Sequence, residues 1–149
     1  MTDDSQNLAQ LYAELGQSLL KPPAGDAEAQ LEFYRLLLNP QGAPCPPWQS
    51  IYMEPEGDHP RLMGPSHHSA LSWYRRYGFE PAIENEPADH LGLLLLFYAE
   101  LLMTETEAAT LDEFERQHLA WASRFVEKLK ENTRHPRYQQ LAEDLAEHL

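Results

Sequence analysis

The sequence feature that most constrains the fold is a nearly continuous apolar run from Leu91 to Ala99, interrupted only by Gly92. Its leucines and aromatics recur at three- and four-residue steps and also fill the positions between, which is typical of a helix enclosed on all sides. The run is far shorter than the roughly 20 apolar residues that cross a bilayer. It therefore predicts a central core helix, with Pro87 as its first residue.

Five other segments show helical periodicity, and no segment shows the alternation of a β-strand. Asp26, Ser66 and Thr110 are the predicted N-caps of three helices, and Gly78 is a predicted C-cap. A chain of 149 residues is long enough for one core. We therefore predict an all-α, single-domain bundle of about six helices. The predicted helices cover 5–20, 26–39, 66–78, 87–102, 110–129 and 136–145.

Apolar stripes predict which faces of these helices are buried. In the second helix the stripe consists of Leu31, Tyr34, Leu37 and Leu38, and Phe33 lies partly off it. In the fifth helix the stripe contains two polar-tipped aromatic residues, His118 and Trp121. A histidine on such a face is more often a hydrogen-bonded core residue than a ligand. His118 is therefore a secondary candidate for function.

A long proline-rich loop lies between Asn39 and Pro65 and contains seven of the twelve prolines. Trp48 and Tyr52 indicate that this loop is ordered, and long ordered loops often carry function. The segment around them, Pro46–Tyr52, has two open explanations. Its aromatic rings either anchor the loop on the core, which the segment alone favours, or form a wall of a peptide groove.

The charge distribution is strongly acidic, with a net charge of -13 from 24 acidic and 11 basic side chains. Such a charge argues against binding to nucleic acid or to an anionic membrane surface. From Tyr77 to Glu115 the sequence has ten carboxylates and no Lys or Arg. This segment is either a solvated acidic surface or one side of a groove for a cationic partner.

The cysteine content and the first residues point to a cytoplasmic location. Cys45 is the only cysteine, so the chain has no internal disulfide and no thiolate metal cluster. The segment Met1–Ser5 is acidic and polar, unlike the basic and then apolar start of a secretory signal.

The first candidate site is the segment Glu86–His90, at the predicted start of the central helix. As the predicted third residue of that helix, Asp89 would face unpaired N–H groups and the positive end of the helix dipole. His90 titrates near neutral pH when unperturbed, so we expect a pH-dependent contact with a partner. Together with Glu86, these side chains could bind a cation or a guanidinium group.

The sequence gives little support for catalysis. Five histidines could contribute to a metal site with Asp89, but none of them has the spacing of a known helical metal motif. Cys45 has no nearby base, and no nucleophile elbow or phosphate-binding glycine loop is present. We predict a protein that is not an enzyme, with no catalytic residue, metal ligand or cofactor. Two alternatives stay open, a helical metal-dependent hydrolase and a general acidic protein-binding adaptor.

Several motifs follow one another in a characteristic order, and the most specific is Glu-Pro-x-Asp-His. They are Leu31–Leu36, Pro47–Tyr52, Tyr77–Phe79, Glu86–Gly92, His118–Trp121 and His135–Tyr138. In this order they resemble the TorD/DmsD/NarJ family of redox-enzyme maturation chaperones. The resemblance extends from about Leu31 to Leu145.

The resemblance implies a single chaperone domain over residues 1–149, all-helical and cytoplasmic. Such a chaperone binds the twin-arginine signal peptide, or leader, of the catalytic subunit of a molybdopterin oxidoreductase. It holds the apo subunit until its cofactor is inserted, and only then is the subunit exported. Contact with the membrane would be indirect, through the export pathway, and the chain would be a monomer or a dimer.

The resemblance also implies which residues contact the leader. The implied positions are Pro47, Trp48, Pro87, Asp89 and His90, with Phe33 where relatives often have Trp. Ser50, Tyr52 and His118 belong to the same motifs and complete the set of candidates. We hypothesise that Asp89 and Glu86 receive the two arginines, while Trp48 and nearby leucines of the central helix receive the apolar part of the leader.

Overall fold

The computed structural model describes residues 3–39, 41–53, 55–56, 59–60, 62–81, 83 and 85–149. Within these residues the chain forms eight α-helices, two π-helical turns and one two-stranded ladder. The α-helices are α1 (Asp3–Leu20), α2 (Ala27–Phe33), α3 (Gln49–Met53), α4 (Pro65–Arg76), α5 (Leu91–Met103), α6 (Ala108–Phe114), α7 (Ala122–Asn132) and α8 (Pro136–His148). The π-helical turns are π1 (Tyr34–Leu38) and π2 (Glu115–Leu119), and β1 (Pro55–Glu56) pairs antiparallel with β2 (His59–Pro60).

The all-α fold class is confirmed. The six predicted helices correspond to α1, to α2 with π1, to α4, to α5, to α6 with π2 and α7, and to α8. The short helix α3 and the two-residue strands lie in the proline-rich loop, where no regular structure was predicted. Of the helices in the described part of the chain, none is both long and apolar enough to span a membrane.

Helices α1 and α5 form the closest pair of the fold, running antiparallel with their backbones in contact. A Cβ atom built at Gly92 would lie 2.5 Å from the Leu20 Cγ and 2.8 Å from the Gly16 carbonyl oxygen. A Cβ built at Gly16 would lie 2.7 Å from the Gly92 carbonyl oxygen. The two backbones can approach this closely because both positions are glycine. Packing therefore explains the glycine that interrupts the apolar run.

The centre of the core surrounds α5, as the apolar run predicts. Leu91, Leu94, Leu95 and Phe97 have no solvent exposure. Phe97 is the hub of an aromatic cluster, with ring centroids 5.0 Å from both Tyr74 of α4 and Phe114 of α6. These edge and tilted contacts join α4 and α6 to the central helix.

Some predicted helix ends are confirmed and others are wrong. Asp26 caps α2, since its Oδ1 accepts from the Ala29 N–H at 3.0 Å, and Gly78 follows α4 with a φ of 69°. The N-cap of α4 is Gly64, however, and the predicted cap Ser66 lies within its first turn, because Pro65 already occupies the first helical position. Similarly, the N-cap of α6 is Glu107 and not the predicted Thr110.

The predicted cap Thr110 therefore lies inside α6, where its N–H donates to the Glu107 carbonyl at 3.0 Å. The spacing that resembles a capping box falls one turn too late, because Thr110 and Glu113 are both helical.

The buried face of α2 also differs from the prediction. Leu31, Tyr34 and Leu38 are 71%, 50% and 45% exposed. The buried side chains are Ala29, Phe33, Leu36 and Leu37. The predicted stripe contains large apolar residues, but the helix turns the small residue Ala29 inward. The Tyr138 hydroxyl of α8 donates to the Ala29 carbonyl at 3.3 Å.

Candidate functional site

Two segments distant in sequence meet at the start of α5 and form the candidate site. Pro47–Ser50 runs beside Glu86–His90, and we call these two segments the helix-start site. The Leu91 N–H donates to the Pro47 carbonyl at 2.8 Å, and the Gln49 N–H donates to the Asp89 carbonyl at 3.2 Å. These two bonds form an isolated antiparallel bridge between Trp48 and His90.

This bridge explains why the predicted start of the central helix is wrong. The helix begins at Leu91 and not at Pro87, which lies in the preceding turn. The first amide of α5 is already bonded to Pro47, and the second, that of Gly92, is capped by the His90 side chain. A non-local contact therefore sets this helix end, and no local pattern could have shown it.

Trp48 and Glu86 form the partly exposed edge of the site. The Trp48 Nε1–H donates to the Glu86 Oε1 at 2.6 Å, and the indole stands edge-on to the His90 ring with centroids 5.8 Å apart. Burial raises the pKa of the Glu86 carboxyl above its usual value, the Trp48 bond lowers it, and the charge of Asp89 raises it further. An aromatic ring and a carboxylate thus share one half-buried surface.

Asp89 is fully buried and acts as an acceptor for the other segment. Its Oδ2 accepts from the Ser50 N–H at 2.8 Å and from the Ser50 hydroxyl at 2.7 Å. Its Oδ1 has no hydrogen-bond partner among the described residues. Asp89 is therefore not the third residue of a helix, as predicted, but a buried carboxylate that fixes the first turn of α3.

His90 is the N-cap of α5 and is only 3% exposed. Its Nδ1 accepts from the Gly92 N–H at 2.9 Å, so that nitrogen has no proton. Burial lowers the pKa of His90 to about 3. His90 is therefore neutral at physiological pH, and the predicted titration near neutrality is wrong.

Two residues of α4 that sequence reasoning did not assign to the site hold its backbone. The His67 Nδ1 accepts from the Ala88 N–H at 2.8 Å, and the Tyr74 hydroxyl donates to the Ala88 carbonyl at 2.6 Å. Both backbone polar groups of the buried residue Ala88 are thereby satisfied. Tyr74 was recognisable only as a core residue and His67 only as one of several histidines.

His118 lies behind the site and links three helical segments. The Gln49 Nε2 donates to the Gln117 carbonyl at 2.7 Å, which turns the Gln49 Oε1 towards the His118 Nδ1 at 2.7 Å. Because an amide oxygen only accepts, the proton lies on Nδ1, and Nε2 accepts from the Ser69 hydroxyl at 2.9 Å. Burial lowers the pKa of His118 to about 4. The predicted core histidine is confirmed.

Gln49, Ser69 and His118 also line a shallow recess of about 290 Å³ between α3, α4 and π2. Gln49 is missed by the sequence reasoning, which treated it as part of an aromatic motif. Its role depends on π2, which brings the Gln117 carbonyl and His118 to it, and a π-helical turn has no distinct sequence pattern.

Phe33 and Tyr52 are core residues in this structure. Phe33 is 1% exposed on the buried face of α2, and Tyr52 is 5% exposed, with its ring centroid 5.3 Å from that of Trp121. The Arg124 guanidinium donates to the Tyr52 carbonyl at 2.6 Å. Tyr52 therefore anchors the loop on the core, which is the first of the two explanations of the loop motif. Contact of Phe33 or Tyr52 with a leader peptide stays a prediction.

The leucines near the site are not exposed either. Leu91, Leu94 and Leu95 have no exposure, and Leu93 is 1% exposed. The hypothesis that they receive the apolar part of a leader is therefore wrong for this conformation. Among the described residues, no group of three or more His, Cys, Asp or Glu side chains is placed to hold a metal ion.

Comparison with known proteins gives the family. Residues 2–128 match the family model described as the nitrate reductase delta subunit. The chain belongs to this family. Its relatives include the Tat proofreading chaperone DmsD of Salmonella typhimurium, which is 33% identical over 111 residues, covering 73% of this chain and 52% of the relative.

Two further relatives have similar names. The probable Tat proofreading chaperone DmsD of Haemophilus influenzae is 32% identical over 114 residues, covering 74% of this chain and 53% of the relative. The chaperone protein TorD of Shewanella pealeana is 32% identical over 102 residues, covering 64% of this chain and 46% of the relative. The resemblance to the TorD/DmsD/NarJ family is thus confirmed, and the chain spans about half the length of these relatives.

Proposed function

We propose that this protein is a cytoplasmic maturation chaperone that binds the twin-arginine leader of a molybdopterin oxidoreductase catalytic subunit. It would retain the apo subunit until the cofactor is inserted, and it would have no enzymatic activity. The observation that carries the proposal is the pairing of the Trp48 indole with the Glu86 carboxylate on a half-buried surface. The names of the relatives, which are chaperones, support it.

The helix-start site suits one guanidinium group next to an apolar side chain. Trp48 engages the Glu86 Oε1, which leaves the second oxygen of that carboxylate to a ligand. A guanidinium there would gain a charge-assisted hydrogen bond and could lie against the indole face. Since no Lys or Arg occurs from Tyr77 to Glu115, no internal cation from this segment competes for the carboxylate.

Asp89 has a different part in this proposal from that of Glu86. Its burial removes it from direct contact in this conformation, while its charge adds negative potential and its Oδ2 fixes the Ser50 end of the loop. Asp89→Ala would leave two Ser50 donors without an acceptor, so a loss of binding in that variant would mix structural and electrostatic effects. Glu86 is the better residue to test.

The test is calorimetric titration of a twin-arginine leader peptide against wild type and Glu86→Gln. Glutamine keeps an oxygen for the Trp48 indole and removes only the charge. We expect affinity to fall about tenfold, which corresponds to about 1.4 kcal/mol for one charge-assisted contact. Glu143→Gln, an exposed change on α8, is the matched control and should bind as wild type does.

Unchanged affinity in Glu86→Gln would remove the helix-start site from leader binding. The alternative of a general acidic protein-binding adaptor is tested by measuring the affinity for the oxidoreductase subunit after its leader has been removed. If that subunit binds as tightly as the complete precursor, leader recognition is not the function of this surface.

A further inference from the structure

A wide groove lies along α1 and α5, outside the helix-start site. It has a volume of about 630 Å³ and a mainly apolar lining. We call it the α1–α5 groove. Its apolar residues are Ala9 and Ala13 of α1, Leu96, Ala99 and Met103 of α5, and Phe79.

The two walls of this groove run side by side for the same length. The α1 wall consists of Gln6, Ala9, Gln10 and Ala13. The α5 wall contains the apolar residues Leu96, Ala99 and Met103. On each helix the lining positions are spaced three and four residues apart over two turns, which is roughly 10 Å. Two antiparallel helical ridges of this length leave a channel whose shape matches a third short helix.

In the groove α5 presents apolar surface to solvent. Its first turns are enclosed, whereas Met103 is 40% exposed and Leu96 is partly exposed. The Gly16–Gly92 crossing fixes the two helices at one end of the pair, so the α1 and α5 walls of the groove are held together by packing. An apolar ligand would therefore meet a preformed surface.

The two charged residues that line the groove, Glu80 and Glu100, are both acidic and exposed. Helix α1, which forms one wall, contains no Lys or Arg. The other wall lies within the segment Tyr77–Glu115, which also lacks Lys and Arg. An apolar channel whose charged lining residues are two carboxylates is complementary to an apolar helix face flanked by cationic side chains.

We propose that the α1–α5 groove binds a short cationic amphipathic helix of a partner protein. The bound helix has two to three turns, with leucine-like side chains in the channel and Lys or Arg side chains towards Glu80 and Glu100. This surface is separate from the helix-start site and does not depend on recognition of a twin-arginine pair.

The test uses two labelled peptides of about 14 residues with the same leucine pattern, one with Lys and one with Glu at every polar position. Fluorescence anisotropy should show at least tenfold tighter binding of the Lys peptide to wild-type protein. Ala13→Arg places a bulky cation in the channel and should weaken binding at least tenfold. Glu100→Gln, at an exposed position that leaves the core unchanged, should weaken it about threefold.

Glu143→Gln is the control for a general loss of acidic charge and should bind as wild type does. Equal affinity for the two peptides, or wild-type affinity in both groove variants, would overturn the proposal. So would a loss of binding in Glu86→Gln alone, which would place the peptide at the helix-start site. If light scattering shows a wild-type dimer that Ala13→Arg converts to a monomer, a second copy of the chain fills the groove and the proposal also fails.

Discussion

Three histidines in the described part of the chain accept hydrogen bonds from backbone amides through a ring nitrogen. His90 accepts from Gly92, His67 accepts from Ala88, and His135 caps α8 by accepting from the Arg137 N–H at 3.1 Å. An imidazole can accept in this way only when that nitrogen is unprotonated. The sequence shows seven histidines in an acidic chain and suggests chemistry, whereas the structure uses several of them to complete helix ends and turns.

The buried histidines His90 and His118 predict a loss of stability at mildly acidic pH. Burial lowers the pKa of His90 to about 3 and that of His118 to about 4, from an ordinary value near 6.5 in the unfolded chain. Above pH 6.5 neither state is protonated, and stability is complete. As pH falls below 6.5 the unfolded chain binds protons that the folded chain rejects, which costs about 1.4 kcal/mol per pH unit for each histidine.

Urea unfolding at pH 7.5 and pH 5.5 measures this effect. Wild type should lose stability between the two values, while His90→Asn, which keeps a capping side chain but cannot titrate, should lose less. A part of the loss stays, because burial also lowers the pKa of His67 and His118. Carboxylates titrate mostly below this window and contribute little. An equal loss in the two proteins would show that His90 is not the group responsible.

At the scale of elements, the sequence predicts what helices exist better than where they begin. All six predicted segments are helical, because apolar periodicity records burial over many residues. The predicted starts at Ser66, Pro87 and Thr110 are wrong, because a helix end depends on which group satisfies each free amide. For α5 that group is the carbonyl of Pro47, which is 44 residues away from Leu91 along the chain.

The crossing of α1 and α5 gives a prediction about stability. Gly92→Ala would place a methyl group 2.8 Å from the Gly16 carbonyl oxygen and 2.5 Å from the Leu20 Cγ. Alanine favours a helix by about 1 kcal/mol over glycine, but two packed backbones cannot separate without disturbing the core. We expect a net loss of about 2 kcal/mol, or roughly 6 °C in melting temperature.

Gln17→Ala, on the exposed side of α1 next to the crossing, is the control and should change stability by less than about 0.5 kcal/mol. Thermal melts followed by circular dichroism compare the two variants with wild type. If Gly92→Ala melts at or above the wild-type temperature, the two helices are not held as closely as the structure shows.

At the scale of the whole molecule, the sequence identified most members of the site but not how they work together. Glu86, Asp89, His90 and Trp48 all lie at the helix-start site, as the motifs predicted. The role of each residue depends on its burial: Glu86 is partly exposed, while Asp89 and His90 are buried. A one-dimensional pattern contains the residue types but not the depth at which each side chain lies.

The net charge of -13 links the fold to the proposed function and makes salt a useful variable. Added salt screens repulsion among the carboxylates of the folded chain, so it should not unfold the protein. The same screening weakens attraction between the acidic surface and an arginine-rich leader. Salt should therefore lower leader affinity while the melting temperature stays constant or rises, which separates an effect on binding from an effect on folding.

We expect the dissociation constant of the twin-arginine peptide to rise about tenfold between roughly 50 mM and 500 mM NaCl, mainly through slower association. Glu86→Gln removes the partly exposed carboxylate of the helix-start site, so its affinity should depend less on salt than that of wild type. A twin-lysine peptide carries the same charge without the planar fork, so it should show the wild-type salt dependence at lower affinity. If wild-type affinity is instead indifferent to salt, the acidic surface only keeps the protein in solution, and leader binding must depend on shape and apolar contact alone.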